Sequence, residues 1–371
     1  MTGDQVLVAG GGIAGLALAR GLRQRGVPYV LAERSAVTAD GGLAINLPGN
    51  AVTALAALGL REGLEKVGRP TGRREYRSAG GRLLFDVDED DFWGRPARPR
   101  CVRRSDLLGL LAAGADPAAH RRPAAVESVR PAAGGVEVRF GDGSRESYGF
   151  VAGADGVHSA VRRAVFGETG VRDALLSAAS WRFMAANPGV DCWTVWSGSE
   201  GAFLLIPVDD DEVYGYASAT RGGPVAPDPS WLAETFGGYS GPVRQVLDSL
   251  RDHPAALYHS PVEEVRVSRW ADGRCVLIGD AAHATAPVWA QGAALAVEDA
   301  IALAGLLADG DWDRAGSRFE QRRRERVAHV QAATDRFSKM AGMPTWLRHT
   351  VLPVLGRVSY RAAYGPLREP A

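Results

Sequence analysis

Residues 5–34 read QVLVAGGGIAGLALARGLRQRGVPYVLAER. An apolar triplet near the start predicts a short buried strand, and the spacing Gly10-x-Gly12-x-x-Gly15 predicts a tight turn. The apolar stretch beyond the turn predicts a helix that ends near Arg25, and a second apolar run predicts a parallel strand. This order of strand, turn, helix and strand predicts an α/β fold that begins with a Rossmann-like unit.

The residues of this unit have the chemistry that a bound dinucleotide requires. Gly10 and Gly12 let backbone N–H groups approach a pyrophosphate, and Gly15 lets the helix pack closely on the strand. The N-terminus of the helix adds a partial positive charge. Glu33 can accept hydrogen bonds from both hydroxyls of an adenosine ribose, and its carboxylate would repel a 2′-phosphate. The unit therefore predicts NAD or FAD rather than NADP at this position. The predicted contacts are Gly10, Gly12, Ile13, Ala14, Gly15, Glu33 and Arg34.

Two later segments decide between the dinucleotides. Residues 150–163, FVAGADGVHSAVRR, predict a strand, a turn at Asp155 and a helix start, although an Asp-capped turn without a ligand has the same pattern. Residues 273–307 predict a strand that ends at Asp280, a loop, and a long apolar helix that begins near Gly292. Asp280 can hold a polyhydroxyl chain, and the helix N-terminus would stabilise negative charge on a reduced flavin. An NAD site needs neither feature, so the pattern favours FAD.

Together, GGGIAG, GADGVHSAVRR and GDAAHATAP…QGAALAVEDA resemble the signatures of the single-component (class A) FAD-dependent monooxygenases. These are aromatic hydroxylases with the p-hydroxybenzoate hydroxylase fold. Shorter matches are INLPGNAVTALAALGL at 45–60, RRSDL at 103–107 and FEQRRRER at 319–326. The resemblance covers nearly the whole chain. It implies a Rossmann-like FAD-binding domain with an inserted β-sheet substrate domain and a C-terminal helical segment.

The resemblance also implies roles for single residues. Arg104 would bind the FAD chain, and Asp280 would contact the ribitol and phosphate region. Asp155 with Arg162 would serve both FAD and a transient nicotinamide cofactor. The remaining implied contacts belong to the loop and helix after Asp280: Pro287 would place its carbonyl beside the flavin, and Gly292 and Ala293 would cover the pyrimidine edge.

The domains are predicted to be discontinuous. The FAD-binding domain takes 1–69, 98–169 and 270–309, the substrate domain takes 70–97 and 170–269, and 310–371 forms the C-terminal helical segment. Alternating apolar residues predict a hairpin over 73–78 and 82–87 and strands over 181–185, 192–197, 202–208, 213–220 and 258–268. Helices are predicted over 231–250 and from 313 onward.

Only one complete dinucleotide fingerprint is present, so NADH or NADPH must visit a shared cleft as a transient reductant. The resemblance implies that dioxygen adds to the reduced FAD. The resulting flavin hydroperoxide would hydroxylate an electron-rich aromatic or polyketide-like small molecule. No metal is required. The apolar, Trp-rich substrate segment favours a neutral compound. The enzyme is expected to belong to a bacterial biosynthetic pathway of secondary metabolism.

Aromatic residues of the predicted sheet and loop are the candidates for substrate contact, although each is also consistent with ordinary core. The pocket candidates are Trp181, Trp193, Phe203, Tyr214 and Trp289, and the catalytic candidates are Pro287, Trp289, Tyr214 and Tyr216. Alternation places Trp193 and Trp196 on opposite faces of one strand. As a general base, Tyr214, Tyr216 and His259 are candidates by location, while Arg182 fits a substrate carboxylate or a structural role.

Two positions depart from the family pattern. Ala290 stands where much of the family has glycine. Val288 follows Pro287 where urate-hydroxylating members carry Asp, which argues against urate.

Composition excludes several other classes. The 43 Lys and Arg residues balance 43 Asp and Glu residues, so no net charge favours a nucleic acid or an anionic membrane. No apolar run approaches the roughly 20 residues of a membrane span, and no signal segment is expected. Three distant cysteines fit neither a metal cluster nor a disulfide framework, which predicts a reducing, cytoplasmic compartment. The chain is expected to be a monomer or a homodimer.

Four alternative functions have related sequence patterns. A flavin oxidase or dehydrogenase would use the same cofactor motifs, and so would an epoxidase, a Baeyer–Villiger or an N-oxygenating enzyme. A flavin-dependent halogenase requires a lysine near the substrate, and no lysine lies between Lys66 and Lys339. A non-enzymatic scaffold would be expected to have damaged cofactor motifs, and here they are intact.

Overall fold

The computed structural model describes residues 4–36, 43–132, 134–167, 170–174, 179–219, 229–252 and 257–370. The strands within these residues are β1 (Val6–Ala9), β2 (Tyr29–Ala32), β3 (Ala44–Leu47), β4 (Arg69–Pro70), β5 (Arg73–Ser78), β6 (Leu83–Asp88), β7 (Arg100–Arg103), β8 (His120–Arg121), β9 (Val126–Ala132), β10 (Gly135–Phe140), β11 (Arg145–Tyr148), β12 (Phe150–Gly153), β13 (Val171–Asp173), β14 (Ala179–Ala186), β15 (Trp193–Ser197), β16 (Gly201–Pro207), β17 (Glu212–Ala219), β18 (Leu257–Pro261), β19 (Glu263–Val265), β20 (Ala271–Asp272) and β21 (Cys275–Leu277).

The α-helices within the same residues are α1 (Ile13–Gln24), α2 (Gly49–Ala57), α3 (Arg61–Glu65), α4 (Glu89–Trp93), α5 (Arg104–Ala112), α6 (Ala160–Phe166), α7 (Pro229–Phe236), α8 (Gly241–Asp252), α9 (Asp280–His283), α10 (Gly292–Ala308), α11 (Trp312–Ala341) and α12 (Thr345–Tyr364). None of them combines the length and the apolar character that crossing a membrane requires.

A six-stranded sheet forms the first layer, in the order β20-β21-β12-β1-β2-β8. All neighbouring pairs are parallel except β20 with β21. Because parallel strands end at the same edge of a sheet, the turns at Gly10, Asp155 and Asp280 lie side by side. The strands and helices predicted around these turns are therefore present, and the α/β fold class is confirmed.

A seven-stranded sheet forms the second layer, in the order β18-β14-β17-β16-β15-β5-β6. The parallel pairing of β15 with β5 brings the hairpin predicted over 73–87 into the same sheet as the strands after residue 178. Helices α7 and α8 cover one face of this sheet. There Phe183, Phe203, Phe236 and Val243 belong to a buried core of their own. The other face is left for a cavity. Three smaller sheets, β11-β10-β9, β3-β7-β4 and β13-β19, complete the fold.

Two predicted elements were wrong in extent. The helix predicted over 231–250 is interrupted by a turn at 237–240, because Gly237 and Gly238 weaken a helix. The strand predicted over 258–268 is divided after Pro261, since proline cannot donate to the next ladder hydrogen bond. As a result β18 pairs with β14, whereas β19 pairs with β13 in another sheet. Residue 220, predicted as the end of a strand, lies outside the described residues.

The C-terminal segment is helical, as predicted, and α11 extends over 30 residues. Its buried side includes Phe319 and Val327, but also the guanidinium of Arg323, which is 1% exposed. Arg323 donates to Asp299 (Nε to Oδ1, 2.7 Å) and to Glu298 (Nη2 to Oε2, 2.8 Å) of α10. These charges are paired inside the protein, and the pairs fix α11 against α10.

We expect the Arg323→Met substitution to lower the free energy of unfolding by about 3 kcal/mol, because the buried Asp299 loses its guanidinium partner. The loss stays at the lower end for a broken buried pair, since Asp299 keeps its bond with His283 and Glu298 keeps its pair with Arg326. Urea titration followed by tryptophan fluorescence measures this change. Arg318 of the same helix is the matched control, since it is half exposed and forms only a long 3.8 Å pair with Asp309. Arg318→Met should change the value by less than about 1 kcal/mol. Equal effects of the two substitutions would contradict the role of Arg323 in fixing α11 against α10.

Candidate active site

A cavity of about 480 Å³ lies between the two sheets. One wall contains residues from all three sequence motifs, and the opposite wall is the free face of the seven-stranded sheet. The far end is closed by the C-terminal helices through Phe337, Met340 and Leu352. As a result, the dinucleotide motifs and the predicted substrate sheet line the same cavity.

The first motif forms one end of the cavity through Gly12, Ile13 and Ala14. Gly10 has a φ of +113°, and a Cβ added there would lie 2.4 Å from the carbonyl oxygen of Ala154. A Cβ on Gly15 would lie 1.8 Å from the Gly10 oxygen. These two glycines therefore permit the tight turn, but they do not line the cavity themselves. No side chain caps α1, so its first N–H groups remain available for an anion.

Glu33 lies beside this turn and is half-buried. Its Oε2 accepts the Gly11 N–H at 2.6 Å, and its Oε1 accepts the Ser35 N–H at 2.8 Å. Both bonds hold the carboxylate next to the glycine turn, where a ribose would meet it. Arg34 points to solvent and, within the described residues, is not part of the cavity wall.

Asp280, the first residue of α9, faces the cavity, and its Oδ1 would lie 3.8 Å from a Cβ built on Gly292. Protein surrounds the carboxylate although the cavity leaves it accessible. This desolvation raises the pKa of Asp280, while His283, Arg104 and Arg182 act in the opposite direction. Arg104, at the start of α5, lines the same wall.

The segment from Pro287 to Ala293 forms the middle of this wall, with Pro287, Val288, Trp289, Ala290, Gly292 and Ala293 all at the cavity. Trp289 is held from outside, because its carbonyl accepts the hydroxyl of Tyr364 at 2.7 Å. Its ring packs edge-on against Tyr364 and Phe337, with centroids 5.5 Å apart in both pairs. No side chain caps the N-terminus of α10, which leaves N–H groups directed at the cavity.

The second motif behaves differently from the prediction. Asp155 Oδ2 accepts the N–H groups of Ala160 and Val161, which caps α6. Arg162 is fully buried and donates to the carbonyl of Ala281 at 2.7 Å and to that of Val157. Arg162 was expected to serve the cofactors. That expectation is corrected, because a guanidinium enclosed between two carbonyls has no surface to offer a ligand.

The sheet wall follows strand alternation. Its cavity-facing residues include Arg182 on β14, Tyr214 and Tyr216 on β17, and Trp193 on β15, as well as Arg74, Tyr76, Val195, Leu204 and Ile206. Trp181 and Phe203, both predicted for the pocket, lie on the opposite face. Trp181 is stacked on Trp231 with ring centroids 4.5 Å apart. The pocket prediction for these two residues is corrected, because α7 and α8 cover their face.

The surroundings of the candidate bases do not favour that role. Burial raises the pKa of Tyr214 and of Tyr216, which disfavours the loss of their hydroxyl protons. His259 lies outside the cavity wall against Trp181, with ring centroids 4.8 Å apart, and burial lowers its pKa. His283 bonds Asp299 (Nε2 to Oδ2, 2.6 Å), the structural role that its motif favoured.

Several cavity residues were not singled out from the sequence. Arg74, Tyr76, Leu204 and Ile206 lie on the alternating positions of predicted strands, so the pattern contained them without indicating the face. The residues of α11 and α12 that close the far end had no local signal, because their role depends on how the C-terminal helices fold back.

Comparison with known proteins gives matches along nearly the whole chain. The family model of the FAD binding domain matches residues 4–337. The chain is 29% identical to the 2-heptyl-3-hydroxy-4(1H)-quinolone synthase of Pseudomonas aeruginosa over 368 residues, 96% of this chain and 95% of that enzyme. It is 31% identical to a 3-amino-4-hydroxybenzoate 2-monooxygenase of Streptomyces platensis over 349 residues, 88% of this chain and 85% of that one.

A solved structure has the same fold over the whole chain. Klebsiella pneumoniae HpxO, complexed with FAD and uric acid, superposes with a TM-score of 0.90 at 25% identity and covers 100% of this chain and 98% of its own. With the family model spanning most of the sequence, and with relatives named as monooxygenases, the chain belongs to the FAD-dependent class A flavin monooxygenases, the aromatic hydroxylases that its three motifs indicated.

Proposed function

We propose that this enzyme hydroxylates a neutral, planar, electron-rich aromatic compound bound between FAD and the cavity-facing side of the seven-stranded sheet. One observation supports this most directly. One cavity has free helix N-termini and the first-motif turn on one wall, and on the other a sheet face with an apolar centre.

FAD fits the first wall by its chemistry. The uncapped N–H groups near Gly12 and Ile13 suit the pyrophosphate, and Glu33 suits the adenosine ribose. Arg104 and Asp280 suit the charged and hydroxyl-bearing chain between phosphate and ring. When bound and reduced by NADH or NADPH, FAD supplies the activation of dioxygen and the transfer of one oxygen atom.

The N-terminus of α10, at Gly292 and Ala293, contributes a fixed positive potential to this wall. Such a potential stabilises negative charge on the cofactor ring without any proton transfer.

The sheet wall would position the substrate. Val195, Leu204 and Ile206 form an apolar centre, and Trp193 and Trp289 add flat aromatic surface. Apolar walls exclude water and suit a planar ring. The names of the two relatives above, which concern a quinolone and an aminohydroxybenzoate, are consistent with a flat aromatic substrate. Val288 offers no hydrogen bond, so we do not expect uric acid to be the substrate.

The proposal predicts that the purified enzyme has a flavin absorption spectrum. One member of a panel of phenolic, quinolone and polycyclic compounds should accelerate NADH or NADPH oxidation, while uric acid should not. With ¹⁸O₂ as the gas phase, mass spectrometry should find one labelled oxygen in the product. Stimulated oxidation with only hydrogen peroxide formed, whichever compound is added, would instead favour a flavin oxidase.

We expect Glu33→Gln to raise the dissociation constant for FAD about 10- to 100-fold, because the amide cannot accept all the hydrogen bonds of the carboxylate. Quenching of flavin fluorescence by apoprotein measures the constant. Glu62→Gln on α3 is the matched control, since Glu62 is exposed and lies outside the cavity wall. Wild-type affinity in the Glu33 variant would remove this residue from the proposed site.

A further inference from the structure

Helix α12 exposes large apolar side chains to solvent. Among the described residues, six large hydrophobic side chains are strongly exposed, and four of the six belong to this helix. The four are Trp346 (72% exposed), Val354 (73%), Leu355 (50%) and Val358 (61%). Single exposed apolar residues are ordinary on a protein surface, but a contiguous group of them indicates an interaction surface.

The spacing of the apolar residues places them on one side of α12. They follow one another at intervals of three and four residues, which is the period of a helical stripe. The stripe consists of Leu347, Val351, Val354, Leu355 and Val358, and Trp346 lies at its N-terminal end. We call this stripe the outer face of α12.

The opposite side of the helix is fixed to the protein, so the outer face cannot turn inward. A Cβ added to Gly356 would lie 2.4 Å from the ring of Phe85, which shows how closely α12 packs on β6. Tyr360 donates to the buried Glu89 at 2.6 Å. Arg348 donates to two backbone carbonyls. The exposed side chains are therefore presented by a well-anchored helix.

The segment that contains α12 is basic. Residues 336–368 include six Arg and Lys residues and no Asp or Glu, although the two kinds of charge balance over the whole chain. Five of the six cations are exposed: Arg336, Lys339, Arg357, Arg361 and Arg368. Among the described residues, Arg357 is the one of these five with a salt bridge, to Asp86. The neutral total therefore conceals a local excess of positive charge.

The basic residues border the outer face. Arg357 and Arg361 lie three residues after Val354 and Val358, so they follow one side of the apolar stripe. An apolar stripe with a basic border and a tryptophan at its end is typical of a helix that lies on an anionic bilayer. Apolar side chains enter the acyl region there, while arginines stay at the headgroups.

A second copy of this chain suits the outer face less well. A two-fold contact through α12 would place the same basic segment on both sides of the interface. Like charges that face each other across an interface are unfavourable, whereas anionic headgroups complement them.

We propose that the outer face of α12 docks the enzyme on the surface of an anionic lipid bilayer. The helix lies along the interface and does not cross it, in agreement with its length and composition. Its exposed apolar side chains enter the acyl boundary, and Arg357 and Arg361 contact the headgroups. None of the outer-face residues belongs to the described cavity wall, so the docking does not depend on the proposed function.

The inner side of the same helix gives the contact a use. Arg348 and Leu352 line the far end of the cavity, so docking brings this end close to the bilayer. An apolar aromatic compound dissolved in the lipid could then enter past the C-terminal helices without passing through bulk water. This consequence, unlike the docking itself, rests on the proposed function.

Sedimentation of the flavin-loaded enzyme with lipid vesicles tests the docking. The wild type should bind vesicles of mixed phosphatidylcholine and phosphatidylglycerol about tenfold or more tightly than vesicles of phosphatidylcholine alone. Added salt should weaken the binding, because it screens the headgroup charge.

Two sets of substitutions separate the apolar from the charged contribution. Val354→Ser combined with Val358→Ser removes apolar area without a change of charge, and should weaken binding to the mixed vesicles about tenfold or more. Arg361→Gln removes one cation and should weaken it about fivefold.

Matched controls make the same kinds of change elsewhere. Tyr258 is 53% exposed on β18, at the edge of the seven-stranded sheet opposite to β6. Arg145 is exposed on β11, in another sheet. Tyr258→Ser and Arg145→Gln should both bind the mixed vesicles as the wild type does.

Fluorescence locates the contact on the helix. Trp346 is the exposed tryptophan among the nine of the chain, and the other eight are buried or half-buried. Mixed vesicles that contain brominated phosphatidylcholine should therefore quench part of the tryptophan emission. Trp346→Phe should abolish this quenching.

The inference is overturned if the wild type does not sediment with the mixed vesicles, if it binds neutral vesicles equally well, or if the serine double variant binds as the wild type does. Analytical ultracentrifugation without lipid tests the other occupant. A wild-type dimer that the serine substitutions convert to a monomer would assign the outer face to a second copy and overturn the lipid assignment.

Flavin content and stimulated NAD(P)H oxidation are measured on the same preparations without lipid. Their absence would defeat the proposed function and leave the docking result intact, whereas their presence without vesicle binding would defeat only the docking. Circular dichroism of each variant confirms that it is folded.

Discussion

The cavity wall that contains the three sequence motifs depends on one side chain, the carboxylate of Asp299. Its Oδ2 accepts the Gly279 N–H at 2.9 Å and bonds His283, while its Oδ1 accepts from Arg323. One side chain thus joins the end of β21, the short helix α9 and the C-terminal helix α11. Asp280 follows Gly279 directly, so its position in the cavity is set by a group that never touches the cavity. A buried ion pair adds little net stability compared with apolar packing, but it specifies one arrangement of the elements that it joins.

The same network extends to the start of α10, which lines the cavity. Glu298, next to Asp299, accepts from Asn50 at 3.0 Å, and Asn50 donates to the side chain of Gln291 at 2.9 Å. Gln291 precedes the first residue of α10. The N-terminus of α10, which directs N–H groups at the cavity, is therefore fixed from α2 and, through Glu298, from α11. Electrostatic stabilisation of a cofactor requires this kind of preorganisation, since dipoles that must reorient lose most of their effect.

The sequence indicated most residues of the cavity wall that contains the three motifs and few residues of the sheet wall, for a physical reason. Gly10, Gly15 and Glu33 are placed by local geometry, which a short motif specifies, and the second apolar run of the first motif forms β2 as predicted. Alternation separated Trp193 from Trp196 correctly, but a period of two cannot indicate which face meets a cavity and which meets a helix. For this reason Trp181 and Phe203 were predicted to line the pocket, although they lie on the face that α7 and α8 cover. Arg162 was misassigned because its position in a motif does not reveal burial.

Ala290 has a backbone conformation that its own residue type does not favour, and the C-terminal helices stabilise that conformation. Its φ of +52° is a left-handed conformation that an L side chain adopts at a cost of about 1 kcal/mol or more. A glycine would remove that cost, so the alanine persists because other contacts determine the loop. Trp289 provides them through the hydroxyl of Tyr364 and the ring of Phe337. Since those partners belong to α12 and α11, this part of the cavity wall takes its shape from the last segment of the chain. A shift of these helices would move Trp289 and Ala290 together, and would alter the substrate space without changing any residue of the three cofactor motifs.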